Sequence, residues 1–138
     1  MKTRLLLLAL SVSLAACTSP PDRPQPGTAL PPCGDSPNCV SSQETRADFQ
    51  VAPLAATAEQ WGQLVETVRT WDNWSLTEED EYFVQAVATT PLMRYRDDVQ
   101  LWFDTEAGLI HVRSSSRVGY GDMGANRNRV ERLRALLE

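Results

Sequence analysis

The sequence has few of the residues that most enzyme and metal sites use. His111 is the only histidine, and no Ser–His–Asp arrangement can be recognised around it. Apart from Cys17 near the N-terminus, only Cys33 and Cys39 are present, and two cysteines with no neighbouring histidine are poor zinc ligands. We therefore name no catalytic residue, no metal site and no cofactor from the sequence.

Positive charge is also scarce. The chain has 13 Lys and Arg against 18 Asp and Glu, a formal net charge of -5, and Lys2 is its only lysine. An acidic chain of this kind argues against nucleic-acid binding. The segment 91–138 differs, with eight arginines against seven acids, so a local anion site in that part is not excluded.

The one strongly apolar run lies at the N-terminus and is too short to cross a membrane permanently. Lys2 and Arg4 precede it, and Leu14-Ala15-Ala16-Cys17 resembles a bacterial lipobox. We predict a signal peptide at 1–16 and an acylated Cys17 that anchors the protein to a cell membrane, facing the periplasm. Thr18 in place of an aspartate favours the outer membrane. The alternative is a plain secretory signal with a chance cysteine.

Residues 17–32 are rich in proline and are predicted to be an extended tether, followed by a single domain at 33–138. Cys33 and Cys39 bracket a turn-rich loop at the start of that domain. In an oxidising periplasm a disulfide between them is the simple interpretation. Unpaired cysteines or a metal site are the alternatives.

Hydrophobic periodicity indicates an α+β fold. Thr57 and Gln60 fit a capping box, and the apolar residues that follow form one helical stripe: Trp61, Leu64, Val65 and Val68. Strand patterns follow, and a last helix is expected to begin between Asp122 and Asn126. We predict an antiparallel sheet of about four strands with two helices packed on one face.

The strand predicted at 92–103 carries an anomaly. Its alternation places five hydrophobic residues on one face: Met93, Tyr95, Val99, Leu101 and Phe103. Asp97 falls on the same face, and a buried carboxylate needs a donor, for which Arg113 or Arg117 is the natural choice. A bulge at Asp97 and Asp98 that turns the side chain outward is the alternative.

The segment 113–131 is unusually dense in arginine, serine and glycine. Arg117, Arg127 and Arg129 beside a helix N-terminus are arranged as an anion-binding corner would be. The alternative is a structural network in which the arginines pair with aspartates. The candidate residues for either role are Asp97, Asp98, Arg113, Arg117, Asp122, Asn126, Arg127 and Arg129.

Three motifs occur in order: CGDSPNCVSSQ from Cys33, DDV from Asp97, and RSSSRVGYGDMGANRNRVE from Arg113. In these motifs the chain, from Cys33 to its end, resembles the domain-of-unknown-function 1499 family. The resemblance implies a domain found in bacterial envelope and lipoprotein contexts. It implies no established activity, substrate or catalytic residue.

The sequence thus predicts a non-catalytic binding or envelope-maintenance lipoprotein with an arginine-rich, anion-accepting corner. Its expected partners are the membrane, through the lipid anchor, and an anionic lipid, glycan or envelope protein. A hydrolase-like enzyme that uses Asp97 or Asp98 as a base is a second hypothesis. A structural assembly module is a third, and it would show an exposed apolar patch around Trp71, Trp74 or Trp102.

Overall fold

The computed structural model describes residues 29–138. The predicted signal peptide, the predicted acylation at Cys17 and most of the predicted tether lie outside these residues. The elements are β1 (Cys39–Ser41), β2 (Leu54–Ala55), α1 (Ala58–Arg69), β3 (Trp74–Glu79), β4 (Phe83–Thr89), β5 (Arg96–Asp104), β6 (Leu109–Ser116) and α2 (Ala125–Arg134).

The strands form one antiparallel sheet in the order β1-β6-β5-β4-β3, and β2 also pairs with β6. The α+β class is confirmed, but the sheet has six strands rather than about four. Strands β1 and β2 have only three and two residues, too few to show an alternating pattern. The packing of both helices on one face stays a prediction.

Helix α1 forms as its sequence predicts. The Thr57 side chain accepts a hydrogen bond from the backbone of Gln60, and the Gln60 side chain accepts one from the backbone of Thr57, a complete capping box. Its buried residues are Trp61, Leu64, Val65 and Val68, as expected. Among residues 29–138, neither helix has the length and apolar character needed to cross a bilayer.

One face of the sheet is apolar. The register sets Val84, Leu101 and Val112 side by side on neighbouring strands. These side chains join the helix stripes in a single hydrophobic cluster that includes Trp61, Leu64 and Val68 from α1, and Val130 and Leu133 from α2. Burial of this apolar surface is the main favourable term in folding.

The opposite face carries a buried polar row. Gln85, Gln100 and Arg113 are neighbours across β4, β5 and β6, and the Gln100 amide donates to the Gln85 Oε1 at 2.8 Å. By alternation, Cys39 and Ser41 of β1 lie on this same face beside Arg113. The first described residues therefore enter the fold on the polar side of the sheet.

A disulfide joins Cys33 to Cys39, as predicted. The Arg46 guanidinium donates to the Cys33 carbonyl at 2.7 Å and to the Glu44 carboxylate at 2.8 Å. Leu30 is buried, and its N–H donates to the Gln43 side chain. The described fold thus begins before Cys33, inside the segment predicted to be tether.

The strand predicted at 92–103 is shorter than expected. Strand β5 begins at Arg96, and the residues before it form a loop that returns to β4, because the Thr90 N–H donates to the Tyr95 carbonyl. Arg94 has a φ of 55°, which a strand does not permit. Met93 and Tyr95 are therefore exposed instead of facing the core, and this part of the prediction is wrong.

Replacing both cysteines, in a Cys33→Ser/Cys39→Ser variant, is expected to lower the free energy of unfolding by about 2 kcal/mol. The disulfide closes a loop with a sequence separation of 6, and so short a loop restricts the unfolded chain only modestly. Urea unfolding followed by tryptophan fluorescence measures the difference. Oxidised wild type and variant with equal unfolding free energies would contradict the expectation, and reduced wild type serves as the control.

Candidate functional site

Two adjacent carboxylates are buried at the start of β5. Asp97 pairs with Ser116 and Asp98 with Ser115 in an unbroken register, so the alternative of a bulge at this point is wrong. Asp97 is 1% exposed and Asp98 is 4% exposed, which confirms that Asp97 is buried. Because consecutive strand residues point to opposite faces, the two carboxylates lie on opposite sides of the sheet.

Asp97 lies on the apolar face, where its partner is Arg129 of α2, with the Nη2 nitrogen 2.5 Å from Oδ2. The donors expected from the sequence, Arg113 and Arg117, are not its partners. Arg113 alternates to the opposite face of β6, and Arg117 binds Asp98. The helix supplies the neutralising charge because α2 packs over the face to which Asp97 points.

Asp98 is bound by Arg117 through two bonds, from Nε to Oδ2 at 2.9 Å and from Nη2 to Oδ1 at 2.7 Å. This bidentate contact raises the pKa of Arg117. Arg113 is buried nearby, and burial lowers its pKa against the opposing effect of the Asp98 charge. The polar face of the sheet therefore holds its own charge pair, separate from that of Asp97 and Arg129.

Asn126, in the first turn of α2, is fully buried and joins several elements. Its amide nitrogen donates to the Asn38 carbonyl, the Ser116 Oγ and the Asp122 carboxylate at 2.7–2.9 Å. Its amide oxygen accepts from the Ser114 Oγ at 2.7 Å and from Arg129 at 2.6 Å. One side chain thus ties the end of β6, the segment before β1 and the N-terminal turn of α2 together.

Asp122 secures the start of the helix from outside it. Its carboxylate accepts from the backbone N–H groups of Gly124 and Asn126, both at 2.9 Å. Burial opposes ionisation of Asp122, but these bonds outweigh it, and the pKa of Asp122 is lowered. Gly124 precedes the helix with a φ of 81°, a conformation that favours glycine.

Arg127 takes no part in this network. Its guanidinium donates to the backbone carbonyls of Gln50 and Asp48, at 3.0 and 3.1 Å, on another side of the helix. The predicted set therefore divides into three places. Asp97, Asp122, Asn126 and Arg129 meet on the apolar face, Asp98 and Arg117 with Arg113 nearby lie on the polar face, and Arg127 stands apart.

A groove of about 550 Å³ opens beside the Asp97 cluster, and we refer to it as the apolar groove. Its walls are the loop before β5 and the loop between β6 and α2. The lining residues are Thr90, Pro91, Leu92, Met93, Tyr95, Asp97, Ser116, Val118, Gly119, Gly121, Asp122, Met123 and Ala125. The groove is of the size that small-molecule sites have.

The base of the groove is polar although its walls are apolar. Asp97, Ser116 and Asp122 all contribute to the lining. The Asp97 Oδ1 is buried and has no hydrogen-bond partner within residues 29–138. Such an oxygen is costly to bury, and because Asp97 is only 1% exposed it is closed off from a ligand in the groove.

The two walls are shaped by unusual backbone conformations. Arg94 and Met123 have φ values of 55° and 53°, in the left-handed region that non-glycine residues seldom adopt. Met123 is also fully exposed, so no packing accounts for its conformation. The Asn38 side chain donates to the Gly119 carbonyl at 2.6 Å, which braces one wall from the disulfide loop.

Sequence reasoning finds one wall of the groove and misses the other. The segment 113–131 stands out by its composition, but residues 92–95 fit the pattern of a buried strand. The available signal of a loop was Pro91 just before this apolar run, together with Arg94 inside it. In the described part of the chain, no group of three or more His, Cys, Asp or Glu side chains is arranged to hold a metal ion.

Fold and site together define an α+β domain with a buried aspartate–arginine–asparagine network under an apolar groove. The chain belongs to the family described as protein of unknown function (DUF1499), whose model matches residues 29–137. This confirms the resemblance found in the sequence motifs. No curated protein and no solved structure matches the chain.

Replacing Asn126 by alanine is expected to lower the free energy of unfolding by about 2–4 kcal/mol, because several buried groups lose their partner at once. Asn128, an exposed asparagine in the same helix, is the matched control. Its replacement by alanine should change the free energy by less than about 0.5 kcal/mol. Chemical denaturation followed by circular dichroism measures both, and similar losses in the two variants would contradict the network.

The lowered pKa of Asp122 predicts a loss of stability in acid. The unfolded state takes up a proton near the ordinary value of 3.8 while the folded state still resists it. The contribution is therefore complete above that pH and is lost as the pH falls through the folded pKa. An Asp122→Asn variant should show a shallower decline of unfolding free energy below about pH 4. Parallel declines in the two proteins would contradict the assignment.

Proposed function

We propose that this protein is a non-catalytic binding domain of the bacterial cell envelope and that its ligand occupies the apolar groove. One observation carries the proposal. Eight large hydrophobic side chains are exposed within residues 29–138, and six of them stand in the two loops that border the groove: Leu92, Met93, Tyr95, Val118, Tyr120 and Met123. Clustered exposure of this kind marks binding surfaces, whereas scattered exposure does not.

The charges at the base of the groove indicate the ligand chemistry. Asp97 and Asp122 carry two negative charges and Arg129 one positive charge, a net charge of -1. The half-buried Asp122 carboxylate, which lines the groove, can accept a hydrogen bond from a ligand, and the negative charge disfavours an anion beside it. We therefore propose an apolar ligand that carries a hydroxyl or amine group.

This ligand differs from the anion expected from the sequence. The arginines of the expected corner are already engaged, Arg117 and Arg129 by carboxylates and Arg127 by backbone carbonyls. An incoming anion would have to compete with carboxylates and backbone carbonyls of the same chain that already bind these arginines. The geometry therefore favours the structural network over the anion-accepting corner.

An enzymatic role and an assembly role receive less support from the geometry. A general base must reach a substrate proton. Asp98 is held in two bonds by Arg117 and does not line the groove, and Asp97, which does, is only 1% exposed and is paired with Arg129. A structural assembly module that binds its partner through tryptophans would need these side chains to be exposed. Trp74 is buried, Arg132 lies 3.8 Å above the ring of Trp71, and Trp102 stacks on His111.

Placement in the envelope rests on the leader. The lipobox that ends at Cys17 supports acylation there and attachment to a membrane, with the outer membrane favoured. The Cys33–Cys39 disulfide is compatible with an oxidising compartment such as the periplasm. Neither observation depends on the groove, so localisation and ligand binding are separate parts of the proposal.

The ligand proposal is tested with photoreactive decanol that carries a diazirine in its chain, added to the full chain in non-ionic detergent. Mass spectrometry is expected to place the adducts in segments 90–97 and 116–125, which form the groove. Decanoate should compete about tenfold more weakly than decanol, a difference of ~1.4 kcal/mol, because Asp97 and Asp122 belong to the groove lining whereas Arg94 and Arg96 lie outside it.

Val118→Asp is expected to abolish this labelling by placing a charge on the groove wall. Leu136→Asp is the matched control, since Leu136 is exposed to a similar degree outside the groove, 43% against 48% for Val118. Adducts spread over the surface, equal effects of the two substitutions, or stronger competition by decanoate would each count against the proposed site.

A further inference from the structure

The rim of the groove has the composition of a membrane-contact surface. Leu92, Met93 and Met123 are 89%, 60% and 100% exposed, and each stands on a loop rather than within the sheet. Tyr95 and Tyr120 lie in the same two loops and are also exposed. Aliphatic and tyrosine side chains on projecting loops suit the boundary between lipid head groups and acyl chains.

Two cations accompany these apolar side chains. Arg94 and Arg96 are exposed beside the groove, and neither forms an ion pair with any residue of the described range 29–138. The chain as a whole has a formal net charge of -5, so two exposed arginines next to an apolar rim depart from its general character. Their charge is complementary to anionic phospholipid head groups.

We propose that this rim docks on the surface of an anionic phospholipid bilayer, with Leu92, Met93 and Met123 inserted and Arg94 and Arg96 at the head groups. The inference rests on the proposed function, because it makes the membrane the source from which the groove takes its ligand. It gives a partner to the exposed apolar side chains of the rim, which the packing of the fold does not need.

A second copy of the chain fits the same surface less well. A symmetric contact through the rim would bring Arg94 and Arg96 of both copies together, and like charges facing one another oppose association. An anionic bilayer instead neutralises both arginines while it receives the apolar side chains.

The predicted anchor allows this orientation. Ala29 follows Cys17 by 12 residues. A proline-rich segment of that length can reach about 37 Å at ~3.1 Å per residue, and a domain with a radius of gyration of about 13 Å is about 34 Å across. A tether of that reach allows the domain to turn more than one face to the bilayer, so its own surface contributes to which face docks.

The test uses the full chain reconstituted in vesicles, with a single environment-sensitive fluorophore on a Met123→Cys variant. A Glu106→Cys variant carries the control label, because Glu106 lies in the β5–β6 hairpin at the other end of the strands. On phosphatidylglycerol vesicles the label at 123 should shift to the blue and be quenched by lipids bearing a nitroxide in the acyl chain. The label at 106 should remain in water.

The Arg94→Gln/Arg96→Gln variant should reduce the docked population on anionic vesicles about 10- to 30-fold. With the arginines in place, vesicles of phosphatidylcholine alone should give the same reduction. A label at 123 that stays in water on anionic vesicles, or docking that ignores lipid charge, would overturn the inference. Specific decanol labelling of the groove in that event would leave the proposed function standing. Self-association through the rim, detected by cross-linking at position 123, would replace the bilayer with a second copy.

Discussion

Two buried carboxylates on consecutive residues impose the constraint on which this structure depends. Because strand residues alternate, Asp97 and Asp98 lie on opposite faces of the sheet, and one arginine cannot neutralise both. A buried charge without a partner is among the costliest features in a protein. Arg117 reaches Asp98 directly from the end of β6, while Asp97 requires Arg129 from a separate helix. The position of α2 is therefore tied to the electrostatics of β5.

The groove is a consequence of that attachment. With Arg129 held by Asp97 and Asn126 held by Ser114, Ser116 and Asn38, the N-terminal turn of α2 is secured against the end of the sheet. The loop that leads into the helix then lies at the end of β6, and it faces the loop that leads into β5 across the groove. The arginines of the network supply architecture, and the binding surface that we propose is built from the apolar side chains around them.

The local features were the most predictable from sequence. The capping box at Thr57 and the stripe that includes Trp61 and Leu64 depend on residues within one helix, so their spacing sufficed. The burial of Asp97 followed from alternation and the disulfide from a shortage of other partners. The partner of Asp97 was predicted wrongly, because several arginines could donate to it and the packing of α2 was not known. The loop at 92–95 was predicted as part of a strand, because its apolar residues continue the strand pattern.

The α+β class, the family, the first helix, the disulfide and a buried pairing of an aspartate with an arginine could all be predicted from the sequence. Each of these depends on residue types at short separations, where backbone geometry leaves few alternatives. The packed fold was needed to learn which arginine pairs with which aspartate, and that Leu92 and Met123, distant in the chain, border one groove. Such pairings depend on how the elements pack, and many packings satisfy the same local pattern.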